Sequence, residues 1–471
     1  MTNVVSKEAI PSLDYLSSAF RTPAYDARIS ETKFEYFYPI SGTKNTTCLR
    51  WTIPPNNGNY VSNMEGLILA LEPRITDREK QNPPALDINS GPINNFCNSI
   101  FSALRISFNT TCVLKMDHFP IYSYCRMLLN NNEFDFKTWA DCQGFTLDVE
   151  EQDLDDVKNN TAWQNRRLMF GNVLKIPLKL PNGDTNPAFK DNGKFRYSSE
   201  PSFFLFKLNT PLVNSPLLPG VTVTIELDLN KPSFVFQSID STDAQTNINF
   251  DLDRARLFVE QTKLNDKLYL QLEERLRKES MRQFFTTTMI NTHSISSLGK
   301  TAIIDSIGIG YFPSRMYLTV QETQRANGDF TLNGLKFSRA LNTKVAPFMI
   351  ESVKVSLAGN EVEGLACDLA NNSFRDHFFR LYHLTNQDQG KNSGTISFKK
   401  FTEDFCLFVY DFTSTLNATN EPLLPLVKKG HIRAEIEFDV PSKAALTVIS
   451  MLEVQSVLTI ENGGKVTIST L

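Results

Sequence analysis

Residues Val221 to Leu229 alternate apolar and polar side chains without a break, the apolar ones at 221, 223, 225, 227 and 229. Residues Ile432 to Val440 alternate in the same way, with Glu437 and Asp439 standing where Glu226 and Asp228 stand in the first run. A period of two held over nine residues predicts a strand with one face on a core and one in water. The approaches to the two strands also correspond. Phe203-Phe204-Leu205-Phe206 and then Leu217-Leu218-Pro219 precede the first; Phe405-Cys406-Leu407-Phe408 and then Leu423-Leu424-Pro425 precede the second. Further upstream, Leu104–Phe108 corresponds to Val353–Leu357, each followed at the same distance by a valine, Val113 or Val362. Each block then enters an aromatic and leucine-rich stretch, Tyr122 to Leu129 or Phe378 to Tyr382, which reads as a short helix or turn beside the sheet. Three correspondences in one order argue for an internal duplication, and a repeat half the chain long means twin domains rather than a solenoid.

The length of 471 residues agrees, since it exceeds what one hydrophobic core usually supports. The copies differ mainly in one place: 73 residues lie between Leu129 and Phe203 but only 20 between Leu384 and Phe405. The surplus holds Trp139, the acidic run Asp148 to Asp156 and turn-rich stretches such as Pro181-Asn182-Gly183-Asp184. Such an insertion is expected on exposed loops at one end of a sandwich, giving the first domain the larger outward projection.

Further strands are predicted at Phe34–Tyr38, Leu49–Ile53, Leu67–Leu71, Ile248–Val259 and Met316–Val320, with turns at Asn57-Gly58, Asn327-Gly328 and Asn333-Gly334. In Ile248–Val259 the apolar parity switches between Leu252 and Ala255, which predicts a bulge. One helix is expected, from Asn265 to Phe285, where Leu268, Leu272 and Leu276 recur every four residues and Glu273–Arg277 and Glu274–Lys278 form i,i+4 pairs. Its mixed charge argues for a connector rather than a membrane-surface helix.

Composition limits what such a chain can do. The net charge is −4, and the first thirty residues hold only Lys7, Arg21 and Arg28 as cations. Tight wrapping of DNA through phosphate neutralisation is therefore not expected. Seven cysteines, at 48, 97, 112, 125, 142, 367 and 406, are scattered and never form a Cys-x-x-Cys pair, so neither a disulfide framework nor a zinc site is predicted. Small buried hydrophobes are the expected role. The opening Met-Thr-Asn-Val-Val-Ser-Lys lacks a basic-then-apolar signal and no 18-residue apolar run occurs, so no transmembrane segment is expected. The sequons at Asn45, Asn109, Asn159, Asn371 and Asn417 are read as accidents of an Asn-rich sequence.

No catalytic, cofactor-binding or metal-binding residue is predicted, and the protein is not expected to be an enzyme. Gly299-Lys300-Thr301 resembles the end of a phosphate-binding loop, but Ser294 stands where that motif requires glycine. No Gly-x-Ser-x-Gly elbow and no His-Glu-x-x-His helix occurs. Of the histidines at 118, 293, 377, 383 and 431, only His377 and His383 are near in sequence, and a spacing of six puts them on different helical faces. The acidic run 148–156 lacks the glycine and ligand spacing of a calcium loop, so a solvated face is expected. Paired carboxylates for glycoside cleavage need only converge in space, but nothing in the sequence points to a particular pair.

Several segments, in order, carry a resemblance. Gly91-Pro92-Ile93-Asn94-Asn95-Phe96, followed by Ser99-Ile100-Phe101, is similar to a signature segment of the double jelly-roll capsid proteins of polintons and adintoviruses, the lineage of adenovirus hexon. Phe119-Pro120-Ile121-Tyr122-Ser123-Tyr124, Asn165-Arg166-Arg167-Leu168-Met169-Phe170, Leu217-Leu218-Pro219-Gly220 and Phe312-Pro313-Ser314-Arg315 resemble later segments of that family, with a looser match around Pro120. The resemblance spans 34–460. It implies an all-β fold of two tandem eight-stranded jelly-roll sandwiches: an arm at 1–29, a first jelly roll at 30–262 with its insertion around 130–202, a connecting helix at 263–285, and a second jelly roll at 286–471. It implies homotrimers that act as pseudo-hexagonal tiles of an icosahedral shell, alongside neighbouring capsomers, a penton protein and minor capsid proteins. It places the protein in the virion, after synthesis in the host cytosol and assembly in cytosol or nucleus. The alternative is a two-sandwich carbohydrate-binding or glycan-cleaving protein, which usually carries a secretion signal. A genomic relic of such a virus, with no assembly role, is a third reading.

Overall fold

A computed structural model of the chain describes residues 28–470 apart from 44–45, 56–58, 78–89, 149–151, 175–189, 192–193, 196–203, 211–215, 218–219, 239–247, 296–298, 309, 311, 342–345, 363–372, 386–394, 414–415, 417, 419–429 and 462–464. The arm at 1–29 up to residue 27, the Asn57-Gly58 turn, Pro181–Asp184, Cys367 and the sequon at Asn371 lie outside the described residues.

Eight strand positions build the first half: β1 (Ile29–Phe37), β2 (Cys48–Ile53), β3 (Tyr60–Asp77), β4 (Phe101–Phe108), β5 (Thr111–Asp117), β6 (Phe204–Lys207), β7 (Val223–Leu229) and β8 (Ile248–Leu264). They pair as two antiparallel sheets, β1-β8-β3-β6 and β2-β7-β4-β5, with Pro216–Leu217 also on β3. The second half repeats this with β9 (Met281–Ile295), β10 (Thr301–Ile304), β11 (Arg315–Glu322), β12 (Phe348–Leu357), β13 (Asn360–Glu361), β14 (Phe408–Asp411), β15 (Ile432–Phe438) and β16 (Leu446–Ile460). Its sheets run β9-β16-β11-β14 and β10-β15-β12-β13. Every strand n of the first half thus has its counterpart at n + 8, in the same sheet and between the same neighbours. The chain is two tandem jelly rolls.

The alternating runs are β7 and β15. Val223, Ile225 and Leu227 in one, and Ile432, Ala434, Ile436 and Phe438 in the other, are all buried. Each is a central strand, β7 between β2 and β4, β15 between β10 and β12. A shift of register between Leu252 and Arg254 marks the bulge that the parity change predicts in β8. Helices α1 (Phe119–Asn130) and α6 (Ser373–Leu384), each of 12 residues, occupy the two matched aromatic stretches. Between them in the chain lie α2 (Glu133–Lys137), α3 (Thr161–Leu174), α4 (Asp266–Lys278) and α5 (Thr323–Asn327); α7 (Phe398–Glu403) follows α6.

Two expectations need correction. The connecting helix is α4 alone, ending at Lys278 rather than Phe285, and residues 263–264 belong to β8. Met281–Phe285 opens β9, whose fifteen residues pair without interruption with β16. The ladder competes successfully for residues that a four-residue period alone would assign to the helix. The described part of the insertion around 130–202 is not a set of exposed loops either. It contains α2 and α3 and buries Phe145, Leu154, Val157 and Trp163. Only Phe134 and Trp139 in it stand out as exposed large apolar residues. The cysteines also divide: Cys97, Cys125 and Cys406 are buried, whereas Cys112 and Cys142 are exposed.

Candidate functional site

Two carboxylates of the acidic run expected to be solvated, Asp148 and Asp155, instead sit buried between the two jelly rolls. Asp153 and Asp156 are exposed as expected, and 149–151 lie outside the described residues. Leu154 and Val157 are buried, and the Asp155 side chain between them is drawn in with them. Asp148 accepts from Arg166 Nη1 at 2.7 Å and from Asn94 Nδ2 at 2.9 Å. The Arg166 and Asp148 side chains are only 1% and 2% exposed. Lys400 of α7, in the second half, donates to the Asp148 carbonyl at 3.3 Å.

Asp155 makes the larger crossing. Arg325 of α5 grips it with two guanidinium nitrogens at 2.7 and 2.8 Å, and the Asn333 amide donates to it at 2.8 Å. Two parallel N–H donors match the two oxygens of a carboxylate, which makes this the strongest form of ion pair. Arg325 also holds Glu322, while Lys336 reaches Asp153, Asp155 at 3.4 Å and Asp404 at 3.9 Å. Asp148, Asp153, Asp155, Glu322 and Asp404 therefore face Arg166, Arg325, Lys336 and Lys400, five carboxylates against four cations.

That imbalance is legible in the proton affinities. Burial works against the Asp155 carboxylate, but Arg325, Lys336 and the Asn333 amide together hold it down at about 2. Burial pushes the Asp404 carboxyl up to about 7; Asp148 and Asp153 add to the rise, and Lys336 and Lys400 oppose it. Asp404 is thus the carboxyl of the cluster whose proton affinity is raised.

Three of the segments that carried the resemblance, 91–96, 119–124 and 165–170, meet around this junction. Asn95 adopts a left-handed backbone (φ 54°), so the chain turns sharply after Gly91–Ile93. Its side chain donates to Ser123 of α1 at 2.9 Å, and Asn98 reaches both Asn95 and Gln143. Arg167 of α3 donates to the Ser90 carbonyl at 3.0 Å, beside the Trp163 ring that lies on Gly91. These bonds, from Asn98 to Gln143 and from Arg167 to Ser90, tie the segment to the insertion.

A second contact joins the halves. Helix α1 lies over the outer face of β9-β16-β11, where a cavity of about 70 Å³ separates Cys125, Arg126 and Leu129 from Thr288, Tyr317 and Met451. Arg126 donates to Tyr122 at 2.6 Å and to the Thr210 carbonyl at 3.0 Å. Across the cavity, Arg315 donates to Tyr317 at 3.0 Å and Tyr317 to Glu453 at 3.3 Å. Nearby, Tyr124 meets Phe405 edge-on at 6.1 Å, and Thr111 Oγ1 donates at 2.8 Å to the carbonyl of Val466, in the C-terminal strand Val466–Thr470.

The remaining candidates take up quiet positions. His377 is packed among Phe374, Phe408 and Tyr410, where burial and then Arg380 hold it near 3, so it stays neutral. His383, on the exposed side of the same helix, stacks on Phe379. Lys300 and Thr301 lie at the start of β10 rather than ahead of a helix. Among the described residues no group of three or more His, Cys, Asp or Glu is arranged to hold a metal ion, and no helix is long and apolar enough to cross a membrane. The junction pairs buried carboxylates of the first half with cations of the second, an arrangement that holds two bodies in one orientation.

No family model matches the chain, and no curated sequence matches it. Solved structures do. The Sputnik virophage structure from cryo-electron microscopy aligns over 96% of this chain and 90% of its own, with a TM-score of 0.58 and 9% identity. The PBCV-1 virus capsid aligns over 95% and 99%, with a TM-score of 0.53 and 9% identity. The Faustovirus major capsid protein aligns over 95% and 94%, with a TM-score of 0.51 and 9% identity. At this identity the likeness is one of fold, and it runs the length of both chains.

Proposed function

We propose that this protein is a major capsid protein of a DNA virus or virus-like element, of the polinton and adintovirus type, and has no catalytic role. The observation that carries the reading is the strand-for-strand repetition of one jelly roll, with the two copies locked together by a buried ionic junction. A rigid pair of like sandwiches lets a threefold assembly occupy a sixfold position, since three chains then present six similar bodies. A ring of this kind needs a heterologous contact whose rotation closes.

On this reading the protein forms homotrimers, pseudo-hexagonal in outline, that pave an icosahedral shell beside a penton protein and minor capsid proteins. It resides in the virion. The two jelly rolls on either side of α4 are its domains. The net charge of −4 and the scarcity of cations in the first thirty residues leave DNA condensation to other proteins. The alignment along nearly the whole chain with capsid structures supports the reading.

The test is light scattering and negative-stain microscopy of the purified protein. Trimers and hexagonal tiles are expected. A species that stays monomeric at every concentration while cleaving or binding glycans would overturn it.

A further inference from the structure

The two jelly rolls differ in what covers one matched sheet face. In the second, the outer face of β9-β16-β11 lies under α1 of the first half, and Thr288, Tyr317 and Met451 on it are buried. In the first, no described residue outside its own sheet covers the counterpart face of β1-β8-β3 as α1 covers the second. Glu35 and Phe37 pair with the core residues Val259 and Leu257, so Phe34 and Tyr36 point the other way. Phe34, Tyr36 and Tyr38 are 56%, 54% and 60% exposed. Tyr36 packs on Tyr38 at 5.7 Å and on Phe258 of β8 at 6.2 Å, and Phe258 pairs in turn with Ile68 of β3. The same face carries exposed Leu205 of β6, opposite Ala70, and the charged side chains of Glu260, Arg256 and Lys207. An aromatic and aliphatic row across three strands, with Phe34 and Tyr38 beside it, is a surface built to be covered.

The helix that would cover it is also in place, but on the wrong jelly roll. Helix α6 is the counterpart of α1, equal in length and placed alike between the fifth and sixth strand of its sandwich. On α1 the residues facing the covered sheet are Tyr122, Cys125, Arg126 and Leu129. Aligned end to end, the same positions of α6 are Asp376, Phe379, Arg380 and His383. The internal pair recurs there too: Arg126 holds Tyr122 at 2.6 Å, and Arg380 holds Asp376 at 3.0 Å. Phe379, 54% exposed, stacks on His383 and forms with it an outward aromatic knob.

The geometry points to a second copy of this chain as the occupant: α6 of one copy seats its Phe379–His383 knob on the Tyr36 face of the next copy's first jelly roll. This repeats between chains the contact that α1 makes within one. The contact is heterologous, and three copies complete a ring when its rotation closes. The assignment rests on the capsomer reading and gives it its seam. Aromatic residues at the centre of such a contact carry most of its binding energy.

The experiment uses the full chain with two single variants, Tyr36→Glu and Phe379→Glu. Both sites are more than half exposed, so a charge there leaves the folded subunit intact, and circular dichroism checks this. Sedimentation should show trimers for the unaltered protein and monomers for each variant, an association weakened by about 30-fold or more. A third variant carries Tyr36→Cys and Phe379→Cys, with the exposed Cys112→Ser and Cys142→Ser. Oxidised, it should give a covalent trimer on a non-reducing gel. If the unaltered protein is trimeric but both charged variants remain trimers and no cross-link forms, the seam lies elsewhere, the Tyr36 face serves a neighbouring tile or the chain's own first residues, and the capsomer reading survives. If the unaltered protein never leaves the monomer, that reading and the seam fall together.

Discussion

Arg325 is the side chain on which the junction turns, because it pairs with two carboxylates at once. It is buried, it grips Asp155 with two nitrogens, and it holds Glu322 as well. Removing one partner of a buried pair leaves the other charge without water or counterion, which costs about 3–5 kcal/mol. Arg325→Ala is therefore predicted to lose stability of that order in urea unfolding, whereas Arg433→Ala, at a solvent-exposed pair with Asp305, should cost about 1 kcal/mol or less. Equal losses for the two would show that the junction contributes no more than a surface bridge.

The same cluster sets a pH dependence. Asp404 is raised in the fold from 3.8 to about 7, so the folded state holds a proton that the unfolded chain gives up. Its contribution to stability is full below about pH 4 and is lost as pH rises through 7. Asp155, lowered to about 2, acts in the opposite sense, and its contribution is lost as pH falls through that value. The junction should thus be firmest at mildly acidic pH and looser by something on the order of 2 kcal/mol at pH 8. Asp404→Asn removes the titrating group, and stability measured by denaturant between pH 5 and 8 should flatten. An unchanged slope would place the titration elsewhere.

At the scale of elements, the duplication was readable because a strand with one wet face writes its period directly into the sequence. Both β7 and β15 lie where their alternation placed them, and the bulge in β8 follows from one change of parity. The insertion was not readable in this way. Whether the acidic run is wet depends on Arg325 and Lys336, which lie far along the chain, and only the interleaved Leu154 and Val157 hinted at burial. Helix α4 was legible in kind but not in extent, because Met281–Phe285 satisfies both periods and only the partner strand decides. Gly91 tests how tightly the insertion is held. A Cβ there would stand 2.8 Å from the Trp163 ring. Gly91→Ala is predicted to cost about 1–3 kcal/mol through overpacking, and amide exchange should quicken in α3 before it does in β7. Uniform exchange would mean that α3 is not anchored at this point.

For the whole molecule, the question is whether two jelly rolls behave as two folding units or one. Separate domains joined by a helix would ordinarily melt independently, since inter-domain surfaces within a chain are often modest. Here one apolar cluster runs through both halves, with Tyr124 of α1 against Phe405, and Asp155 crosses to α5 beneath it. Helix α4 has no buried residue, so it ties the halves covalently and adds little to their coupling. The coupling should therefore reside in the junction, and calorimetry should show a single transition for the unaltered protein. Joint replacement by Asp155→Ala and Arg325→Ala takes away the crossing pair while leaving each sandwich's own core in place. The melting curve should then split into two transitions, the first half retaining one and the second the other. Added salt should do little to the unaltered protein, because a pair this deeply buried is poorly screened. A single transition that persists in the double variant would show that the apolar contact between α1 and the β9-β16-β11 sheet suffices by itself to hold the two jelly rolls in one orientation.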